Sequence, residues 1–251
     1  MLAIERRQNI VERIRKEQKV HVSNLSQLFS VTEETIRRDL EKLENEGILT
    51  RTYGGAVLSQ HTNEDLPFPT RTSMNHEIKQ AIAQKAADLI NDGDTIMVDA
   101  STTCLELIYS LKGKKNLTII TNSVKIAHDF IGSNPTIIST GGTLRAHSLA
   151  LTGPIAHSTI KNYYVDMAII SCKGLSLDKG MMESNEPEGD LKKSMIKQAA
   201  KVILLADHTK FNKTAFIKLF GFENVDYVIT DIEPDSEWID LFQKHSIQVL
   251  Y

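Results

Sequence analysis

Val31-Thr32-Glu33-Glu34-Thr35-Ile36-Arg37-Arg38-Asp39-Leu40 decides how the first part of the chain folds. Thr32 is a hydroxyl placed to cap a helix. Glu33 and Glu34 follow in its first turn, where negative side chains suit the positive end of the helix dipole. Ile36, Leu40 and Leu43 recur at i, i+4 and i+7, so one face is apolar. Thr32, Thr35 and Arg38 fall on an outward stripe, and Glu33, Arg37 and Lys42 are also little constrained by the core. Gly47 is expected to end the helix, as Gly does one residue past a C-cap.

Upstream, Ile4, Ile10, Val11 and Ile14 recur at helical spacing. Lys19-Val20-His21-Val22 is short and β-prone, and Ser23 is expected to cap a short helix from Asn24 to Phe29. Ser30-Val31 makes a tight turn. Downstream, residues 48–53 read as a strand, Gly54-Gly55 as a turn, and Ala56-Val57-Leu58 as the returning strand. Two helices joined by a tight turn and followed by a hairpin make a winged helix-turn-helix. A helix fits the DNA major groove, and Arg can bond guanine bidentately or grip phosphate. The candidate DNA-contacting residues are Ser23, Thr32, Glu33, Thr35, Arg37, Arg38, Lys42 and, in the wing, Arg51, Tyr53 and Gly54.

The remaining residues organise differently. Residues 58–76 are polar and contain Pro67 and Pro69, which remove donors and extend their neighbours, so they read as a linker. Beyond it, apolar strands are expected at 95–99, 117–121, 136–140, 165–171, 202–206, 227–230 and 247–250. Helices are expected at 77–91, 104–111, 124–131, 154–161, 187–200 and 234–244. Continuous apolar strands alternating with helices imply a mostly parallel sheet covered on both faces. The expected division is a DNA-binding domain at 1–57, a linker at 58–76 and an α/β domain at 77–251.

In such sheets ligands bind beyond the carboxyl ends of the strands. Those ends carry Asp99-Ala100-Ser101-Thr102-Thr103, Thr121-Asn122-Ser123, Gly141-Gly142-Thr143-Leu144-Arg145, Cys172-Lys173-Gly174 and Asp207-His208-Thr209-Lys210. Hydroxyls and amides at a helix start form an anion cradle, and glycines let backbone approach a ligand. Lys173, Lys210 and Arg145 could supply charge, and Asp99 and Asp207 could accept sugar hydroxyls. Ser and Thr also cap helices everywhere, so each loop alone has a plain capping reading. Several such loops at one sheet edge favour a polyanion pocket.

Composition agrees with a folded, two-part chain. It has 251 residues, 41% hydrophobic and 24% charged, which excludes collagen-like, coiled-coil-only and largely disordered chains. Apolar runs such as Val202-Ile203-Leu204-Leu205-Ala206 fall well short of the ~20 residues of a membrane span. The start turns charged at Glu5-Arg6-Arg7 and lacks the apolar block of a signal peptide, so a cytoplasmic protein is expected. Cys104 and Cys172 read as buried free thiols in a reducing compartment, and no metal or cofactor is expected. The net charge of −3 does not point to nucleic acid, but residues 1–60 carry +1 and the rest −4.

The chain resembles the DeoR family of bacterial transcriptional regulators. The resemblance rests on Glu5-Arg6-Arg7-Gln8-Asn9-Ile10, Val22-Ser23-Asn24-Leu25-Ser26, the Val31–Leu40 stretch, Leu43-Glu44, Gly47 and Arg51-Thr52-Tyr53-Gly54-Gly55-Ala56. It implies that Arg37 and Arg38 contact DNA. Asp39 is expected to be structural and to orient a neighbouring arginine, since a carboxylate facing phosphate would repel it. The strand-end loops, with Gly153, Glu188, Lys192 and Thr230-Asp231, resemble the sensor domain of the same family, and Lys79 fits its pattern. The implied fold is a winged helix-turn-helix plus a mostly parallel α/β domain similar to ribose-5-phosphate isomerase. Departures are Ala100, where many members carry Gly, and Cys172 and Lys173.

The resemblance implies a repressor that binds double-stranded operator DNA under control of a phosphorylated sugar, as a homo-oligomer (dimer or tetramer) away from membranes. The implied effector residues are Lys79, Asp99, Ser101, Thr102, Thr103, Thr121, Asn122, Ser123, Gly141, Gly142, Arg145, Lys173, Glu188, Asp207 and Lys210. A phosphosugar isomerase or deaminase competes, with Glu188, Asp166, Asp99 and Lys173 as acid–base candidates. A helix-turn-helix has no use in that enzyme, and no loop carries an undisturbed isomerase signature, so the chain reads as a non-enzyme with no catalytic residues.

Overall fold

A computed structural model describes residues 2–17, 19–45, 48–58 and 65–251. The chain divides into two compact units, Met1–Thr70 and Arg71–Tyr251. Among the described residues no helix is long and apolar enough to cross a membrane.

The first unit contains α1 (Ala3–Glu17), β1 (Lys19–His21), α2 (Val22–Phe29), α3 (Glu33–Asn45), β2 (Leu49–Thr52) and β3 (Gly55–Leu58). Strand β3 lies between β1 and β2, antiparallel to both. Ile36, Leu40 and Leu43 are buried with Ile10, Ile14, Val20, Leu25 and Leu49, as the periodicity requires. Full burial of each such aliphatic side chain stabilises the unit by about 1.5–3 kcal/mol. Ile4 departs from the expected apolar face: it is exposed, and Arg6 is buried instead. Arg6, Ile10 and Ile14 share one face at four-residue spacing, and Arg6 reaches Asp39 across the core.

Two caps separate expectation from structure. The residue before α2 is His21, which makes no side-chain cap; Ser23 sits inside the helix and is exposed. Val22 starts the helix because its side chain enters the core. Thr32 does accept a hydrogen bond from the Thr35 amide at 3.3 Å, as expected of a cap. Gly47 lies outside the described residues, as do residues 59–64 of the expected linker. Within that linker, α4 (Phe68–Ser73) is helical. Pro69 fits its first turn, where the missing N–H is not needed.

The second unit is a seven-stranded parallel sheet. Its strands are β4 (Thr95–Val98), β5 (Thr118–Thr121), β6 (Thr136–Ser139), β9 (Val165–Ser171), β12 (Ala199–Leu205), β14 (Tyr227–Ile229) and β15 (Gln248–Leu250), in the order β15-β14-β12-β9-β4-β5-β6. The helices are α5 (His76–Ala87), α6 (Thr102–Ser110), α7 (Val124–Asp129), α8 (Pro154–Lys161), α9 (Glu186–Lys197) and α10 (Ser236–Lys244). Ile169, Ile170, Ile203 and Leu204 are buried, which is why these strands read as unbroken apolar runs. The chain builds β4, β5 and β6 outward, then returns to β9 on the other side of β4. The strand order therefore reverses between β4 and β9, where such sheets open a ligand crevice.

Two smaller sheets complete the unit. Gly141-Gly142-Thr143-Leu144-Arg145, expected as a loop, turns into β7 (Thr143–Arg145), which pairs with β8 (Ala150–Thr152) as a hairpin. Gly142 has φ +111°, and a Cβ there would lie 2.5 Å from the Thr152 carbonyl oxygen, so a side chain cannot fit. The other sheet, β10 (Gly174–Ser176), β11 (Gly180–Glu183) and β13 (Ile217–Phe220), follows from no sequence pattern noted above.

Candidate functional site

In the first unit the candidate side chains gather on α3 and the wing. Thr32, Glu33, Arg37, Arg38, Lys42 and Ser23 are exposed, and Thr35 is half-buried. The hydroxyls of Thr32 and Thr35 are 2.9 Å apart. Each candidate arginine has an acidic neighbour. Arg37 Nη2 donates to Glu33 at 2.6 Å, Arg38 Nε to Glu34 at 3.3 Å and Arg51 Nε to Glu44 at 2.6 Å. Glu44 also accepts the Arg51 amide, and these bonds hold its carboxyl below the usual range. These are solvent-screened pairs that contribute little, so phosphate can displace the glutamates. Arg37, Leu40, Glu44, Arg51, Thr52 and Gly54 line a concave surface between α3 and the hairpin. Tyr53 is fully exposed at the hairpin tip, beside Gly54 at φ +81°.

Asp39 faces the other way. It is buried, with Oδ2 2.5 Å from Arg6 Nε and Oδ1 3.6 Å from Arg7 Nη1. The arginine it orients is therefore on α1, and is not its sequence neighbour Arg37 or Arg38. Arg6 was missed; the available signal was a charged residue on the buried stripe of α1.

In the second unit the carboxyl ends of the seven strands of the large sheet lie at one edge because those strands run parallel. Asp99 sits at the reversal point and is buried. Its Oδ1 accepts the Ser101 amide at 2.9 Å; its Oδ2 accepts the Ser171 amide at 3.1 Å and lies 3.0 Å from Lys192 Nζ. Burial alone would raise its pKa, but Lys192 and these donors hold it below the usual carboxylate range. Both oxygens are engaged, so Asp99 shapes the loop and is not an open acceptor for a sugar hydroxyl. Lys192, not placed in the site from sequence, also donates to Glu183 at 2.5 Å and to the Ser171 carbonyl at 2.8 Å. Burial opposes its charge, but Asp99 and Glu183 raise its pKa well above the usual lysine value. A carboxylate closing the apolar run of β11 was the available signal.

Ser101 caps α6 by accepting the Cys104 amide at 3.2 Å. The amides of Thr102 and Thr103 stand in the first turn, where no intrahelical partner exists. Neither threonine hydroxyl makes a hydrogen bond among the described residues, although both residues are buried. This helix start offers donors and the positive end of a dipole to an anion.

The neighbouring loop differs. Thr121 Oγ1 donates to the Val98 carbonyl at 2.8 Å and accepts the Ser123 amide at 3.1 Å. Ser123 caps α7 by accepting the Ile126 amide at 3.2 Å. Asn122 Nδ2 donates to the Leu151 carbonyl at 3.2 Å, while its buried Oδ1 has no partner among the described residues.

The other candidates are largely engaged. Arg145 Nη1 and Ser148 Oγ donate to Glu188 Oε1 at 3.1 and 2.6 Å, so Arg145 and Glu188 come together. Asp207 Oδ1 accepts the Thr209 amide at 2.9 Å and its hydroxyl, which fixes the turn carrying Lys210. Lys79 is buried and donates to the carbonyls of Arg71 and Met74. Burial first, and then the nearby charge of Lys210, lower its pKa to about 8. Its ammonium therefore anchors the last turn of α4 and the residue that follows it. Lys173 is half-buried, and its amide donates to Met182 at 2.9 Å. Among the described residues no group of three or more His, Cys, Asp or Glu is placed to hold a metal ion.

Comparison with known proteins matches both units. Residues 6–62 match the DeoR-like helix-turn-helix domain, and residues 74–232 the DeoR C terminal sensor domain. The chain is 41% identical to the HTH-type transcriptional regulator YulB of Bacillus subtilis, covering 99% of this chain and 96% of that one. It is 30% identical to the glycerol-3-phosphate regulon repressor of Escherichia coli, covering 99% of each. A ribose 5-phosphate isomerase from Methanocaldococcus jannaschii is similar in structure, at TM-score 0.41 and 15% identity over 55% of each chain. A helix-turn-helix unit for DNA and a sensor unit for a small-molecule effector make this a transcriptional regulator and not an enzyme. The chain belongs to the DeoR family of transcriptional regulators.

Proposed function

We propose that this regulator is a cytoplasmic repressor of a sugar-utilisation operon, controlled by a phosphorylated sugar bound in the second unit. The observation that carries the reading is the start of α6. Among the described residues, Thr102 and Thr103 present donors without partners beside the strand-order reversal, behind the Ser101 cap. A phosphate there gains charge-assisted hydrogen bonds and the helix dipole. Relatives support it: one is named for the glycerol-3-phosphate regulon and another as a putative aga operon transcriptional repressor.

In this reading α3 enters the major groove of double-stranded operator DNA, with Arg37 and Arg38 exchanging Glu33 and Glu34 for phosphate or base edges. Arg51, Tyr53 and Gly54 bring the wing to the backbone. A two-fold oligomer matches two half-sites. The sugar phosphate changes operator affinity by binding the two DNA-binding states unequally.

The test combines two measurements on the full chain. Operator duplexes are selected from a random library and used in gel shifts with and without a panel of sugar phosphates. The same panel is used in thermal-shift assays, where a ligand at 100 Kd adds about 2.7 kcal/mol. The expected result is that a sugar phosphate both raises the melting temperature and changes operator affinity. Equal stabilisation by unphosphorylated sugars would overturn the phosphate assignment.

A further inference from the structure

We infer that Asn122 reads a hydroxyl of the effector, so that the two neighbouring strand-end loops divide the ligand between them. The inference rests on the phosphosugar reading above and adds which end of the ligand each loop takes.

The argument begins with what the Thr121-Asn122-Ser123 loop has left to offer. The Thr121 hydroxyl proton goes to the Val98 carbonyl. The amides of Ser123, Val124 and Ile126 go to Thr121 Oγ1, the Leu149 carbonyl and Ser123 Oγ. Asn122 Nδ2 goes to the Leu151 carbonyl. These donors, which an anion cradle would use, are therefore occupied.

What remains is an acceptor. Asn122 is 3% exposed, and its Oδ1 has no partner among the described residues. Flipping the amide is no remedy, since it would set Oδ1 against the Leu151 carbonyl oxygen. A buried acceptor without a donor is costly, so this atom calls for one. A sugar phosphate is mostly a dianion at neutral pH, with only acceptor oxygens, and would be repelled here. A hydroxyl supplies the proton.

The neighbouring strand end has the opposite character. Val98 of β4 pairs directly with Thr121 of β5, so the two loops leave adjacent strands about 4.8 Å apart. The start of α6 holds donors without partners. Phosphate at Thr102 and Thr103 with a hydroxyl at Asn122 satisfies both loops with one small polyol phosphate.

The test measures binding to the full-length wild type and Asn122→Ala. The probes are aldose, ketose, alditol and amino-sugar phosphates, their unphosphorylated counterparts and inorganic phosphate. The expected result is that Asn122→Ala weakens the best sugar phosphate about tenfold, the scale of one buried hydrogen bond, and leaves inorganic phosphate unchanged. Deoxy analogues of that ligand should lose a similar factor on the wild type at one hydroxyl position, and lose nothing there on the variant. If the variant fails to fold, the deoxy series on the wild type decides alone: no sensitive position overturns the inference. Binding by Asn122→Ala within twofold of wild type also overturns it, while the phosphosugar reading stands. If only unphosphorylated sugars bind, and the variant loses them, the phosphate assignment falls and Asn122 stands. If no probe binds, both fall.

Discussion

Lys192 of α9 and Asp99 at the end of β4 lie 3.0 Å apart, both buried, where the strand order of the sheet reverses. The pair joins an element built late in the chain to the first strand of the sheet. It also fixes the turn into α6, because Asp99 accepts the Ser101 amide. Glu183 shares the same ammonium at 2.5 Å. Removing Lys192 leaves two buried carboxylates facing each other. Lys192→Met should therefore cost about 3–5 kcal/mol, the range for breaking a buried pair by deleting one partner. Urea unfolding of the second unit measures this. A loss below about 1 kcal/mol would show that water reaches the cluster.

Asp39 and Arg38 are adjacent in sequence and opposite in role. Asp39 is buried against Arg6, whereas the Arg38 side chain is 75% exposed and paired with Glu34. Asp39→Ala should lower the melting temperature of the first unit and abolish operator binding through unfolding, since it strands Arg6. Arg38→Ala should leave the melting temperature within about 1 °C, because exposed pairs contribute little. It should still weaken operator binding and reduce the salt slope by about 0.9 for one lost phosphate contact. An unchanged slope would move Arg38 off the backbone, and full affinity would remove it from the interface.

Lys79 gives a pH signature. Its folded pKa is about 8, lowered chiefly by burial and then by Lys210, against an ordinary value of 10.5. Between these values the unfolded chain binds more protons than the folded one, so stability rises with pH across that window. Below pH 8 the lysine is charged in both states and the penalty for burying the charge is fully present. Wild type should gain stability relative to Lys79→Met as pH rises from 8 toward 10.5. Guanidinium unfolding at several pH values checks it. A difference that is flat with pH would mean that the ammonium keeps its ordinary pKa.

The strand–helix alternation of the second unit was legible because doubly buried parallel strands must be apolar along their whole length. Val165–Ser171 and Pro154–Lys161 were read to the residue. The antiparallel sheet of β10, β11 and β13 was not legible. Its strands have three or four residues, and β13 joins β11 across more than thirty positions of chain. The hairpin after Gly141-Gly142 was missed because three-residue strands carry too little alternation to announce themselves. In the candidate site, residue types at strand ends could be read, but their occupancy could not. Whether Asp99 is an open acceptor depends on Ser171 and Lys192, which lie 72 and 93 positions downstream. Lys79 is an effector residue by resemblance alone, and its sequence neighbours do not show that the carbonyls of Arg71 and Met74 hold its ammonium. The amphipathic pattern of α3 showed which face is outward, whereas the partner of Asp39 required the packing of α1.

The wing offers the sharpest backbone test. An ideal Cβ on Gly55 would lie 2.1 Å from the Val20 carbonyl oxygen, and that atom belongs to the paired strand β1 and cannot rotate away. Gly54, by contrast, has open space around it and only a positive φ of 81°. Gly55→Ala must therefore push β1 and β3 apart, breaking the ladder that carries the hairpin. Gly54→Ala meets no atom and costs only the left-handed backbone, about 1–2 kcal/mol. Gly55→Ala should destabilise the first unit more than Gly54→Ala and release Tyr53 and Arg51 from their positions. Thermal melts of the two variants, with gel shifts on a selected operator, compare them directly. Equal or smaller damage from Gly55→Ala would mean that the β1–β3 contact is looser than this register implies.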